Sequence, residues 1–182
     1  MRVISGIRKG LKLKAPDGMN TRPTTDRVKE SVFNIIQAYV PSENVLDLFS
    51  GSGALGIEAL SRRCSKCTLV EHNKQAFELV RHNIELAKLS DNARLVFSDA
   101  ISYLASASEP FDIIFLDPPY NKGLISPVLD KISERNLLSV DGIIVIETEK
   151  DGEAVLHPDF RCVRNAVYGK TVITVLVRGD EQ

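Results

Sequence analysis

The chain has 182 residues, 43% hydrophobic and 26% charged, the length and composition of one ordinary globular domain, which excludes a wholly disordered protein. Eleven glycines and eight prolines are too few for a collagenous or low-complexity chain, and no apolar run approaches the roughly 18 residues a membrane span needs. The formal net charge of −1 conceals an uneven distribution: residues 1–30 carry eight basic side chains (Arg2, Arg8, Lys9, Lys12, Lys14, Arg22, Arg27, Lys29) against three acids (Asp17, Asp26, Glu30), hence +5, and the remainder carries −6. A basic arm on a mildly acidic body points to a polyanionic partner docked at one place, because phosphate contacts depend on local cationic density. A solvated charged arm is the alternative. The opening MRVISGIRKG lacks the continuous apolar stretch of a secretory signal, and three cysteines fit a reducing compartment, so a cytoplasmic protein is expected.

Residues 1–22 contain short mixed runs broken by Gly6, Gly10, Pro16 and Gly18, which reads as an extended or hairpin appendage. From Thr24 the pattern turns helical: Thr24, Thr25 and Asp26 are suitable N-caps, and Val28, Val32, Ile35, Ile36 and Tyr39 share one face. Arg27, Glu30, Ser31 and Asn34 share the opposite face, and Pro41 stops the helix. Short apolar runs at 45–49, 67–71, 94–98, 111–117 and 142–148 then read as strands, alternating with helices near 54–63, 73–88, 99–106 and 122–136. Strict alternation predicts right-handed crossovers and a parallel, doubly wound α/β sheet. The runs at 160–167 and 170–177 leave no room for a helix between them, so the chain should end in an antiparallel hairpin. No repeat or linker interrupts 1–182, which reads as one domain with the arm 1–22 appended.

The segment DLFSGSGALGIEA (47–59) places Gly51, Gly53 and Gly56 as G-x-G-x-x-G directly after a strand and at a helix start, the context that makes this pattern informative. Asp47 and Glu71 end successive strands at the carboxyl edge of the sheet, where doubly wound folds bind ligands. An acid on the second strand suits ribose hydroxyls. The glycines alone do not separate a dinucleotide from S-adenosylmethionine. Asp99, after the third strand, adds another acid suited to an adenine amino group or a methionine ammonium, and so many carboxylates match a pyrophosphate poorly. Asp99 could equally be a helix N-cap.

FDIIFLDPPYNKG (111–123) is the most specific motif. Pro118 and Pro119 remove two N–H donors and fix φ, leaving a rigid turn lined by acceptors. Asp117 and the Pro118 carbonyl can accept from one exocyclic NH₂, and Tyr120 can stack on the base that carries it. Two acceptors favour a localised nitrogen lone pair and so a better nucleophile.

Together the GSG loop with Glu71 and Asp99, the DPPY tetrapeptide, and the arm sequences TRPT and DRVKESVFN resemble the RsmD-type family of bacterial 16S rRNA guanine-N2 methyltransferases. The resemblance covers almost the whole chain. It implies a mostly parallel, seven-stranded Rossmann-like methyltransferase sheet, S-adenosylmethionine as donor, and a guanine of 16S rRNA or the small ribosomal subunit as acceptor. It assigns Asp47, Gly51, Gly53, Glu71 and Asp99 to the cofactor and Asp117, Pro118, Pro119 and Tyr120 to the target amine. Arg8, Lys9, Arg22 and Arg27 are the expected RNA contacts. YGKT (168–171) also matches the family, with no role assigned.

Other chemistries are poorly served. Cys64 and Cys67 form a C-x-x-C without a second pair, and Cys162, His72, His82 and His157 are scattered, so no metal is expected. No G-x-S-x-G elbow is present, and Ser50 and Ser52 read as small loop residues. A DNA adenine or cytosine amino methyltransferase would use the same tetrapeptide but would need room for a target-recognition region. A non-catalytic RNA-binding assembly protein and a dehydrogenase are the remaining alternatives, and a monomer is expected.

Overall fold

The computed structural model describes residues 1–15, 26–119, 123–152 and 155–179. Seven strands, β1 (Asn44–Asp47), β2 (Lys66–Glu71), β3 (Ala93–Phe97), β4 (Phe111–Leu116), β5 (Leu138–Glu149), β6 (Phe160–Tyr168) and β7 (Thr171–Arg178), form one sheet in the order β3-β2-β1-β4-β5-β7-β6. The first five are parallel and β7 runs antiparallel to both its neighbours, so the hairpin inserts its second strand beside β5. The β6–β7 turn is Gly169–Lys170, one residue later than the sequence suggested, because Tyr168 still pairs with Thr171. β5 begins at Leu138, earlier than the apolar run at 142, since Leu138 already pairs with Phe111 before the register shifts.

The helices are α1 (Asp26–Ile35), α2 (Ala54–Ser61), α3 (Lys74–Ala87), α4 (Ala100–Ser106) and α5 (Ile125–Glu134). Near-continuous apolar strands are buried on both faces. On one face α1, α2 and α3 bury Val32, Phe33, Ile57, Leu60, Val80 and Ile84 against Val45, Leu69 and Phe115. On the other, α4 and α5 bury Leu104, Val128 and Ile132 against Leu46, Ile114 and Ile146. The order of strands reverses between β1 and β4, which makes the gap above them the topological switch point.

The N-terminal arm packs against the body of the domain. Arg2 and Lys12 form an antiparallel bridge, and Val3 and Leu13 are buried in the α1–α2–α3 core. Gly6 has φ +82° and lies so close to α2 that a Cβ there would meet the Ser61 carbonyl oxygen at 1.8 Å, which only glycine allows. Glu58 of α2, 0% exposed, holds the arm: its carboxylate accepts from the Ile4 and Ser5 amides at 2.7 and 2.9 Å, and pairs with Lys29 at 3.1 Å and Arg62 at 2.9 Å. The Lys29 ammonium also donates to the Arg2 carbonyl, and Arg62 lies 4.6 Å from the Phe33 ring centre. Burial keeps Lys29 below its ordinary pKa although Glu58 pulls the other way. One of the eight cations counted in residues 1–30 is therefore sealed in the core and cannot meet a polyanion.

Candidate functional site

The ends of β1, β2 and β4 gather three carboxylates at the switch point. Asp47 is 2% exposed and its Oδ2 accepts the Gly56 amide at 3.0 Å. Gly56 has to be glycine because a Cβ would meet Leu69 Cδ2 at 2.8 Å and Cys67 Sγ at 3.0 Å, so the third glycine of the motif sets how closely α2 packs on β2. Burial raises the Asp47 carboxyl to about 7, the Gly56 amide opposes this, and the charges of Asp117 and Glu71 push it further up. An acid held so near neutrality among like charges is a site prepared for a cation.

Glu71, 8% exposed, is fixed at both oxygens: Oε2 accepts from the Gly51 amide at 2.9 Å and Oε1 from the Asn73 amide at 2.7 Å. His72 Nδ1 stands 3.4 Å from the same Oε1. A carboxylate oxygen has room for more than one donor, and a carboxylate held rigid in this way suits vicinal hydroxyls. Gly51 and Gly53 take φ +55° and +76°, and the turn closes with the Gly53 amide donating to Ser50 O at 2.6 Å. This tight left-handed turn between β1 and α2 presents backbone to the space above the strands.

Asp99 stands at the same rim after β3 and is exposed. Its Oδ1 accepts the Ser102 amide at 2.9 Å, so it does cap α4, and hydrogen bonding from the Ser102 side chain, with that amide second, holds its carboxyl below the ordinary range. Asp117 follows β4 directly and is half-buried, Pro118 is buried and Pro119 exposed. Asp117 is close enough for its charge to act on Asp47, so the two motifs meet in one site. Tyr120 and Arg22 lie outside the described residues.

The expected RNA contacts are not gathered in one patch. Arg8 is half-buried near the C-terminal ends of α2 and α3: its amide donates to Ser61 Oγ at 3.0 Å and its guanidinium to Lys88 O at 3.2 Å. Both helices start at the carboxyl rim and run back across the sheet, so Arg8 and the exposed Lys9 stand at the end away from the acids. Arg27 is exposed on the first turn of α1. The arm returns to the rim at Lys14, whose amide reaches Asn83 Oδ1 at 2.9 Å. Among the described residues no group of three or more His, Cys, Asp or Glu could hold a metal ion, and no helix is long and apolar enough to cross a membrane.

Sequence reasoning overlooked Glu58, Asn83 and Glu147. Glu147 is 6% exposed and sits on β5 one residue past the Leu116–Ile146 pair, beside the DPP turn. Asn83 and Glu58 did leave a signal: each is a polar residue within the apolar stripe of its helix, between Val80 and Ile84 in one case and Ile57 and Ala59 in the other.

A family model described as conserved hypothetical protein 95 matches residues 1–177. A Bacillus subtilis protein, provisionally named as an rRNA methyltransferase, is 42% identical over 96% of this chain and 97% of its own length. Ribosomal RNA small subunit methyltransferase D of Escherichia coli K12 is 35% identical over 98% and 90%. A solved Escherichia coli structure, also provisionally described as a methyltransferase, superposes with a TM-score of 0.88 at 35% identity and covers 100% of this chain and 99% of its own. With an unbroken match from the arm through the last strand, the chain belongs to this family, the RsmD-type methyltransferases.

Proposed function

We propose that the protein transfers a methyl group from S-adenosylmethionine to the exocyclic N2 of a guanine in 16S rRNA. The observation that carries this reading is the junction of two sites at one switch point: a carboxylate set suited to a cationic nucleoside, Asp47 with Glu71, adjoins the Asp117-Pro118-Pro119 turn suited to an amine. The residues fit that donor: a buried acid poised near neutrality answers a positive ligand, and the fixed Glu71 carboxylate answers a ribose diol. The small-subunit rRNA substrate is taken from the relative's name, and the N2 position from the family resemblance.

When bound, the donor supplies a methyl carbon on a sulfonium, from which an amine nitrogen displaces a neutral thioether. Asp117 and the Pro118 carbonyl accept the two amine hydrogens, hold the nitrogen lone pair toward the methyl and stabilise the positive charge that grows on nitrogen. Preorganised acceptors in a water-poor site contribute about 3–4 kcal/mol to such a step. Asp117 then takes the proton that the methylated nitrogen releases. Tyr120 stacks on the base, a contact of about 1–3 kcal/mol. Lys14 at the rim, with the exposed Arg27 and with Arg22, meets RNA phosphates, which positions the substrate with little choice of base, while Arg8, whose guanidinium donates to Lys88 O, and Lys9 stand away from the site.

Incubating the protein with S-adenosylmethionine and 16S rRNA from cells lacking it, followed by mass analysis of the nucleosides, should yield N2-methylguanosine. Methyladenosine or methylcytidine in its place overturns the guanine assignment, and transfer only to DNA overturns the RNA assignment.

A further inference from the structure

Asn83 is fully buried in α3, and its side chain bonds to Lys14 and Ser52. Its Oδ1 accepts the Lys14 amide at 2.9 Å and its Nδ2 donates to the Lys14 carbonyl at 3.0 Å, so it pairs with the arm as a neighbouring strand would. The second Nδ2 hydrogen goes to Ser52 O at 2.9 Å, the carbonyl between Gly51 and Gly53. One side chain thus joins the arm to the turn over which the cofactor is proposed to lie. A second contact follows the same route: the Ser52 hydroxyl lies 3.5 Å from Met1 Sδ, and the Met1 carbonyl accepts the Leu13 amide at 3.1 Å.

We propose that Asn83 is a positioning residue that couples RNA held by the arm to cofactor held by the glycine turn, each ligand tightening the other. This rests on the reading given above, that the arm faces RNA and the turn faces S-adenosylmethionine. If the arm lifts away, the Asn83 amide loses both Lys14 partners, and the side chain that donates to the Ser52 carbonyl is no longer held in place from the arm side; unsatisfied polar groups in the interior are costly. The docked arm and the formed turn therefore belong to one state. The Glu71 carboxylate holds the same turn from β2 at Gly51, so the turn is set from both sides: by the ribose-facing acid and by the arm. A ligand that favours the docked arm raises the population with a formed turn, and linkage makes the effect reciprocal.

The test titrates S-adenosylhomocysteine into the full-length protein by calorimetry, with and without saturating deproteinised 16S rRNA. The rRNA should tighten binding about fivefold or more, the range of ordinary allosteric coupling. In Asn83→Ala the ratio should fall to one while a cooperative melt persists. An unchanged ratio in the variant, or a ratio of one in the native protein, overturns the coupling. A native protein that binds no S-adenosylhomocysteine at all breaks the cofactor reading itself, and the two failures are distinguishable. If the variant does not fold, hydrogen exchange on the native protein decides: S-adenosylhomocysteine should slow the Leu13 and Lys14 amides and rRNA should slow the Gly53 amide. Absence of either protection overturns the proposal.

Discussion

The molecule buries two sets of carboxylates on the same face of its sheet and treats them in opposite ways. Glu58 sits among Lys29, Arg62 and two arm amides, and every charge in that cluster is answered from within the chain. Asp47 accepts one amide; burial raises its pKa, and the like charges of Asp117 and Glu71 add to that rise. The first arrangement fixes a structure. The second stores an unfavourable charge that a cationic ligand relieves, and this contrast, more than burial, separates a structural acid from a site acid.

The largest effect is expected where the compensation is most complete. Glu58→Ala leaves Lys29 buried without its carboxylate and strips acceptors from Ile4 and Ser5, so urea denaturation should show a loss of about 3–5 kcal/mol. Exchange of the Ile4 and Ser5 amides should rise together with that loss. A variant as stable as the native chain would mean that the arm is held by Val3 and Leu13 alone, and the contrast between the two acid sets would lose one side.

Next is the acid that faces the reacting amine. Asp117→Ala should lower the single-turnover methylation rate about 10²- to 10³-fold, the scale for removing one preorganised electrostatic contact, while S-adenosylhomocysteine affinity stays nearly intact. A matching loss of affinity would move Asp117 from the amine to the cofactor side of the site.

The sequence revealed one of these acid sets far better than the other, for a physical reason. Strand ends are marked by an apolar run that stops, which puts Asp47, Glu71, Asp99 and Asp117 at the rim, and the glycines before α2 mark the turn. The anchoring set leaves only a weak signal, because a charge within a helix stripe reads alike whether it meets a buried partner or solvent. Lys29 was counted with the exposed cations, and its partner Glu58 lies 29 residues away on another helix. The burial of the arm is hidden on the same ground: Val3 and Leu13 are single apolar residues in a polar segment, and only packing in the α1–α2–α3 core shows why they are buried. Asp99 caps α4 and stands at the rim, so its capping role is visible in the structure.

A smaller effect is expected at Glu71, which shares both roles. Glu71→Ala removes the proposed ribose contact and releases the Gly51 and Asn73 amides, so calorimetry should show S-adenosylmethionine binding weakened by about 1.5–3 kcal/mol. Glu71→Gln keeps one acceptor oxygen and should fall between the two. Equal losses for both variants would assign the effect to charge and not to hydrogen bonding.

The smallest effect, and the one that most directly probes the stored charge, is the proton on Asp47. Its folded pKa is raised to about 7 from an unfolded carboxyl near about 4, so its contribution to stability is complete below about pH 4 and is lost as pH rises through about 7. A cationic ligand favours the carboxylate and reverses that preference. S-adenosylmethionine binding at pH 7 should therefore release a fraction of one proton, and affinity should climb as pH passes from 6 to 8. Titrations in two buffers of different ionisation enthalpy measure the released proton directly. Asp47→Asn keeps an oxygen for the Gly56 amide but carries no charge, so it should melt higher than the native protein at pH 8 without cofactor, bind cofactor more weakly, and lose the pH dependence. A native affinity that is flat across this range, with no proton released, would show that the acids at the rim do not answer the positive charge of the donor.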